Sequence, residues 1–249
     1  MRVNSQSAYV LHHRDYSESS LVLEAFAIHH GRIGLLAKGA RRPKSPWRGL
    51  LEPFRPLLLS WTGRGELAIL TGAELERDAS IVEGRQVFSG FYLNELLMRL
   101  LHRHDPHENL FAAYRRALFA LSQGADDETV LRVFERDLLR ELGYGLVLDR
   151  EVSTESPLEA EAVYDYLPEH GPRRLAQPDA ACEGVRISGA SLLALAHDSL
   201  DGVDTRREVK TLMRATLARH LGDRPLNSRR LYQSIVAARL RNNERDSRS

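Results

Sequence analysis

Cysteine is all but missing: the 249 residues contain one, Cys182. A single thiol excludes an internal disulfide and any multi-cysteine metal site within the chain, and beside Ala180 and Ala181 it reads as a small hydrophobe. Long apolar runs are missing too. No stretch approaches the length needed to cross a bilayer, and no basic-then-apolar leader opens the chain, so the sequence predicts a soluble, cytoplasmic protein with no membrane partner. Phosphate-cradling and nucleophile motifs are also absent. Lys44-Ser45 and Lys210-Thr211 lack the glycines of a G-x-x-x-x-G-K-[ST] loop, and there is no G-x-G-x-x-G, G-x-S-x-G or H-E-x-x-H. His102, His104 and His107 are the densest ligand-like group, but at a helix end they do not share one face, and no cysteine or paired carboxylate stands at ligand spacing. The expectation is a protein that is not an enzyme and that uses no cofactor and no metal.

Charge is present, and unevenly spread. The net charge of +1 conceals +5 over residues 1–72, −4 over 73–145, −8 over 146–204 and +8 over 205–249. Two basic ends flank an acidic middle. A polyanion partner is the natural expectation for the ends, although the last block could equally be solvated surface or neutralise the acidic segment.

The first 80 residues read as strands: AYVL (8–11), LVLEAFA (21–27), RIGLLAK (32–38), FRPLLLSW (54–61) and ELAILTG (66–72), with His30-Gly31 and Gly63-Arg64-Gly65 as turns. Pro53 and Pro56 suggest that the fourth strand begins at an edge. Five short strands with the longest connection between the third and fourth fit an OB-type β-barrel, and a small SH3-like barrel fits the strand count nearly as well. After Val82 the period becomes helical. Phe88, Phe91, Tyr92, Leu96, Leu97, Leu100 and Leu101 predict one buried face, and further helices are predicted over 107–122, 127–142, 189–200, 204–221 and 227–241. Residues 146–186 are acidic, contain four prolines and show no period, which predicts an irregular or small β insertion. The class is α+β: an N-terminal domain over 1–80 and a mainly helical one over 81–249.

Two clusters of charge carry chemistry. Between Ala37 and Leu51 stand Lys38, Arg41, Arg42, Lys44 and Arg48 without one Asp or Glu. Charges this close repel unless a polyanion relieves them. Single-stranded nucleic acid fits best, because OB domains track a phosphate backbone along a basic groove and stack bases on aromatic rings. Trp47 is either such a platform or a hydrophobic plug beneath the loop. The second cluster is Arg132, Arg136 and Arg140, four residues apart on a helix beside Leu131, Leu138, Leu139 and Leu142. It is either a solvated face with intrahelical pairs to Glu128, Glu135 or Glu141, or a groove for an acidic peptide with a hydrophobic end.

The stretches VLHHRDYSESSLVLEAF, GRIGLLAKGARR, LEPFRPLLLSWTGRGEL, FYLNELLMRLL, LRVFERDLLRELGYG and LGDRPLNSRRLY, running in order from residue 10 to 232, resemble the bacterial RecO family of recombination mediators. The A-K-G-x-R turn, Y-x-N-E-L-L and the L-G-Y-G helix end are the specific elements. The resemblance implies an N-terminal OB domain and a helical C-terminal domain in a DNA-repair protein. Such a protein binds single- and double-stranded DNA, anneals complementary strands, works with RecR, engages the acidic C-terminal tail of single-stranded DNA-binding protein (SSB) and helps load RecA. It places the DNA-binding surface on Arg14, Arg32, Lys38, Arg41, Arg42, Lys44 and Arg48, and the SSB-tail pocket around Arg132, Leu142 and Tyr144; to these we add Arg64, in the turn beyond, for DNA and Arg136 as a rim charge for the tail. It implies a cytoplasmic, nucleoid-associated location. One departure stands out: many relatives carry a four-cysteine zinc module in the C-terminal half, and this chain has only Cys182, so 146–186 is expected to keep that module's place without its metal. An RNA-binding OB protein and a scaffold that docks acidic proteins are the alternatives.

Overall fold

The computed structural model describes residues 1–63, 65–77, 81–222 and 224–228. Two compact units form, one from Met1–Phe111 joined by the described residues from Arg224 onward, the other from Ala112–Asp223.

In the first unit five strands, β1 (Arg2–Tyr16), β2 (Ser20–Ala27), β3 (Gly31–Ala37), β4 (Pro56–Thr62) and β5 (Ala68–Leu75), close into a barrel in the order β1-β2-β3-β5-β4. Four pairings are antiparallel, and closure comes from a short parallel match of β3 with β5, Leu35 opposite Ala68 and Leu36 opposite Ile69. That order is the OB-type arrangement expected, and it removes the SH3-like alternative. β4 pairs on both sides, with β1 and β5, so Pro56 marks the first residue of the strand and not a sheet edge. The period of two decides what faces in: Leu23, Ala25 and Ala27 of β2, Ile33, Leu35 and Ala37 of β3, and Leu57, Leu59 and Trp61 of β4 fill the interior. Small alanines beside leucines let so narrow a barrel fill without voids.

Close backbone approaches pin the closure. A Cβ on Gly34 would stand 2.4 Å from the Glu66 carbonyl oxygen. β1 is far longer than the predicted 8–11 because it bends through two irregularities, one between Val3 and Gln6 and one between Val10 and His12. The second lifts Leu11 out of the ladder. Its carbonyl accepts from Asn94 Nδ2 at 2.8 Å, which ties α1 (Gln86–Leu100) to the barrel. The buried face of α1 is Ser89, Gly90, Leu93, Asn94, Leu96 and Leu97, rotated from the predicted one. Phe91 stays on the exposed side and meets Phe54 edge-on at 5.0 Å, while Gly90 leaves room for the Phe54 ring.

The second unit follows the predicted helices closely. α2 (Glu108–Ser122) leads into it, followed by α3 (Asp127–Glu141), α4 (Gly189–Ala196) and α5 (Val203–Leu221). Asp126 caps α3, accepting from the Thr129 amide at 3.0 Å, and Gly143 at φ +83° follows its end. Phe134, Leu138 and Leu139 of α3 and Val209, Leu212, Met213 and Leu217 of α5 are buried. The segment 146–186 holds β6 (Val163–Leu167), β7 (Gly171–Arg174) and the start of β8 (Val185–Ser188), an antiparallel sheet ordered β7-β6-β8. The last predicted helix, 227–241, lies outside the described residues apart from Asn227 and Ser228.

At the centre of that sheet Asp165 is fully buried. Its carboxylate accepts from the Cys182 thiol at 2.8 Å, the amides of Glu183 and Gly184 at 3.1 and 2.8 Å, and Arg173 Nη2 at 3.1 Å. Burial pushes its pKa up, but these donors outweigh that and hold it below the ordinary carboxylate range. Burial and the facing carboxylate together push the Cys182 thiol up. A lone protonated thiol spent on a carboxylate is not a donor set that suits zinc. Asp165 thus organises this sheet by hydrogen bonds.

Candidate nucleic-acid interface and peptide site

The basic loop is a chain of turns laid over one end of the barrel. Gly39 sits at φ +72°, and the Arg41 amide donates to the Ser19 carbonyl at 2.9 Å, which fastens the loop to the β1–β2 turn. Further turns close from Arg42 to Gly39, Ser45 to Arg42 and Leu50 to Trp47. Ala40 and Leu51 are buried in the barrel core and Trp47, half-buried, packs against it, so the tryptophan plugs the loop from below. With its apolar residues turned in, the loop turns its charges out: Lys38, Arg41, Arg42, Lys44 and Arg48 are all exposed.

The loop itself contains no acid, but the neighbouring hairpin supplies one. Arg41 pairs with Asp15 at 3.0 Å and donates to the Ser17 carbonyl at 3.3 Å. Among the described residues no acid pairs with Lys38, Arg42, Lys44 or Arg48. Arg14 is exposed on the outward face of β1, in register with Val22 and one residue from Asp15, so it adds to the same end of the barrel.

Arg32 belongs elsewhere. It lies opposite Phe26 on β2, and its guanidinium donates to the Met98 carbonyl and stands 4.0 Å from Glu24. Glu24 in turn pairs with Arg103, whose Nη1 donates to the Glu66 carbonyl at 2.9 Å. Burial pulls the Arg32 pKa down against the opposing pull of Glu24. This arginine joins the barrel to the segment after α1 and does not share the loop's surface. Arg64 lies outside the described residues.

In the helical unit the three arginines of α3 do not form one face. A step of four residues advances 400°, so each arginine is turned about 40° from the last. Their side chains are 5 %, 12 % and 60 % exposed at Arg132, Arg136 and Arg140. Arg132 pairs at 2.8 Å with Glu135, which is fully buried. At 5 % exposure the Arg132 guanidinium shows almost no surface to a peptide carboxylate. Arg136 spends its donors on Asp137, Asp198 and the Leu195 carbonyl. Burial lowers its pKa, and the two carboxylates more than restore it.

Leu142 caps the end of α3, half-buried, and Tyr144 is exposed and stacked on His220 with ring centres 4.1 Å apart. Tyr144 borders an open cavity of about 150 Å³ lined also by Val147, Tyr166, His170, Thr216 and His220. Arg132 stands ten residues before Leu142, about 15 Å along the helix axis, and does not line the Tyr144 cavity.

Sequence reasoning overlooked Glu95 and Arg99. Glu95 accepts from the amides of Asn227 and Ser228 at 2.9 and 2.8 Å and from the Ser228 hydroxyl at 2.7 Å, while Arg99 donates to the carbonyls of Arg224 and Pro225. The stretches Y-x-N-E-L-L and L-G-D-R-P-L-N-S thus meet here: Asn94 holds the barrel and Glu95 holds the returning chain. That sharing of work inside one motif was the available signal.

A closed five-stranded OB-type barrel with an acid-free basic loop, followed by a helical unit with a small sheet, defines the α+β class of the chain. Comparison with known families narrows it. Residues 1–78 match the model "Recombination protein O N terminal" and residues 83–230 match "Recombination protein O C terminal". Proteins named DNA repair protein RecO are similar along nearly the whole chain. The one from Nitrosococcus oceani is 48 % identical over 94 % of this chain and 95 % of its own. Those from Nitrosospira multiformis and Alkalilimnicola ehrlichii are 46 % and 49 % identical, over 94 % of this chain and 96 % and 93 % of theirs. The chain belongs to the RecO family of DNA repair proteins.

Proposed function

We propose that this chain is a non-enzymatic recombination mediator. It binds single- and double-stranded DNA through the barrel loop, anneals complementary strands on SSB-coated DNA and, with RecR, promotes RecA loading in the cytoplasm at the nucleoid. The observation that carries the reading is the loop, an anchored array whose Lys38, Arg42, Lys44 and Arg48 project without an acidic partner among the described residues. Family membership supports the repair role. In the helical unit, Leu142 and Tyr144 offer an apolar wall for the SSB tail.

An annealing assay on SSB-coated complementary strands, with and without RecR, tests the whole reading. Failure to speed annealing would refute it, and stronger binding to RNA than DNA in competition would favour the RNA-binding alternative. The loop has its own test. With about four phosphates neutralised, log affinity for single strands should fall with log salt at a slope near −2.8, at roughly 0.7 per phosphate. Changing Arg42, Lys44 and Arg48 together to Ala should flatten it by about 2. Arg41→Ala alone should change it less than any one of these, because Asp15 already neutralises Arg41. An unchanged slope in the triple variant moves the DNA site off this loop.

A further inference from the structure

Charges on a loop grip phosphates, but a single strand also carries unpaired bases, and an aromatic ring beside the charges can stack on them. Trp47 is half-buried against the core, so a fully presented ring has to come from elsewhere on the barrel. Among the described residues of the barrel unit only two Phe, Tyr or Trp side chains are exposed, Tyr16 and Phe91. Phe91 belongs to α1 and meets Phe54 edge-on. Tyr16 is the last residue of β1 and 50 % exposed, and among the described residues no hydrogen bond or ring contact engages it.

Tyr16 lies opposite Ser20 across the β1–β2 hairpin, and that hairpin is clamped to the basic loop. The Arg41 amide donates to the Ser19 carbonyl at 2.9 Å, and its guanidinium reaches the Ser17 carbonyl at 3.3 Å and Asp15 at 3.0 Å. The Gly39 amide donates to the Ser20 hydroxyl at 3.4 Å. Ring and charges are thus held as one piece. The period of two sets Tyr16 on the outward face with Arg14, about 7 Å along the strand. Arg14 aligns with Val22, Val22 with Leu36, and Lys38 leaves β3 two residues past Leu36. Arg14 and Lys38, both exposed, therefore bracket the ring, one on its own strand and one beyond β2. Glu18 is exposed at the tip of the turn and repels a phosphate there, which keeps a strand on the side of the two cations.

We propose that Tyr16 is the residue that tells single strands from duplex: its ring stacks on an unpaired base while Arg14 and Lys38 hold the flanking phosphates. This rests on the reading of the basic loop as the DNA site. The phosphate contacts do not discriminate, because single strands and duplex both present phosphates to them. The ring does, since a base inside a duplex already has both faces covered by its neighbours. Pairing of the held strand with its complement takes the base off the ring, and the product is then gripped by its phosphates alone. Annealing would weaken the protein's own hold on what it has made.

The test is a fluorescence anisotropy titration of the full chain with three labelled probes of equal length: oligo-dT, an abasic strand with the same phosphates, and a duplex. Tyr16→Ala should weaken oligo-dT binding about 5- to 150-fold, the range for one stacked base. Its affinity for the abasic strand and the duplex should stay within twofold of wild type. The salt slope for oligo-dT should not move, because no charge is removed. Tyr16→Phe keeps the ring and should bind all three probes as the wild type does. The wild type should prefer oligo-dT to the abasic strand by at least the factor that Tyr16→Ala loses. If Tyr16→Ala binds oligo-dT within twofold while the loop triple variant flattens the slope, the ring is wrong and the loop reading stands. Equal losses on all three probes would mean that the ring supports the hairpin and meets no base, which overturns the proposal. A wild type that binds the abasic strand as tightly as oligo-dT overturns it as well. Should the wild type fail to bind oligo-dT at low salt, this proposal and the loop reading fall together.

Discussion

The two units use similar numbers of basic residues for opposite purposes. Residues 1–111 hold 14 Lys and Arg against 12 Asp and Glu, and residues 112–222 hold 14 against 19. What differs is where the carboxylates lie. In the barrel unit the loop arginines stand outside and, among the described residues, only Arg41 pairs with an acid. In the helical unit Glu135, Asp137 and Asp165 are inside, and the arginines come to them. A buried carboxylate left without a counter-charge costs several kcal/mol, so an arginine over it is committed to the fold. The number of arginines along a sequence is therefore a poor guide to how many can bind a ligand. The burial of the acids decides it.

The sharpest way to break this contrast is Arg132→Ala. Removing one partner of a buried pair costs about 3–5 kcal/mol, so urea denaturation should show a large loss of stability, while the salt slope for single-stranded DNA stays as in the wild type. The loop triple variant should do the reverse, flattening the slope with little change in stability. If Arg132→Ala is as stable as the wild type, Arg132 is free to serve a ligand and the contrast fails.

Gly34→Ala comes next, on the barrel side. The added methyl meets the Glu66 carbonyl at 2.4 Å, where β3 and β5 close the barrel, and overpacking of this kind costs about 1–3 kcal/mol. DNA affinity should fall, because the loop's anchor at Ala40 and Leu51 is in the core this closure seals. Acidic-peptide binding should remain. Loss of both activities would show that the units are not separable in function.

Asp165→Asn sharpens the helical side. It keeps the shape but loses the charge that four donors converge on, and the cost should be about 1.5–3 kcal/mol. The pH dependence has a sign. A carboxyl whose folded pKa is depressed stabilises fully above its ordinary value near 3.8 and loses that contribution as pH falls through the lower folded value. Thermal melts of wild type and variant should therefore converge in acid and separate above about pH 4. A constant gap across that range would mean the charge is not what holds the sheet.

How legible each element was follows from the same physics. The barrel interior announces itself through alternation, as in Leu57, Leu59 and Trp61, and four of the helices through their period. β1 was under-read because its first residues, Arg2 to Ser7, are mostly polar and its two irregularities break the alternation. The buried face of α1 was misplaced because aromatic size was weighted over fit: Gly90 and Asn94 face the barrel while Phe91 does not. The sheet over 163–188 was readable only as one of two alternatives, an irregular or a small β insertion, because strands of four or five residues are too short to show a period. At the sites, the loop was legible because an acid-free run is a property of sequence. Its neutralising neighbour Asp15 was not, since that ion pair needs the β1–β2 hairpin folded. The arginine stripe misled because spacing by four approximates one face while drifting off it.

Glu95 offers the smallest and most specific test, since it is the barrel unit's own case of a carboxylate committed to structure. It accepts two amides and a hydroxyl from Asn227 and Ser228 and pairs with Arg99 at 2.8 Å. Burial pushes its pKa up, but the Ser228 and Asn227 amides, the Ser228 hydroxyl and Arg99 outweigh that and hold it below the usual 4.5. The charge therefore stabilises above about pH 4.5, and its contribution disappears as pH falls through the lowered folded value. Glu95→Gln retains one acceptor oxygen and loses the charge, so about 1 kcal/mol of stability should go at neutral pH. Urea denaturation at pH 7 should show that gap, and the gap should narrow steadily below pH 4.5. The loop is untouched, so the salt slope for single strands should not change. A gap that stays the same into acid would mean that shape and not charge grips the returning chain, and Glu95 would then not be a structural carboxylate of the kind that dominates the helical unit.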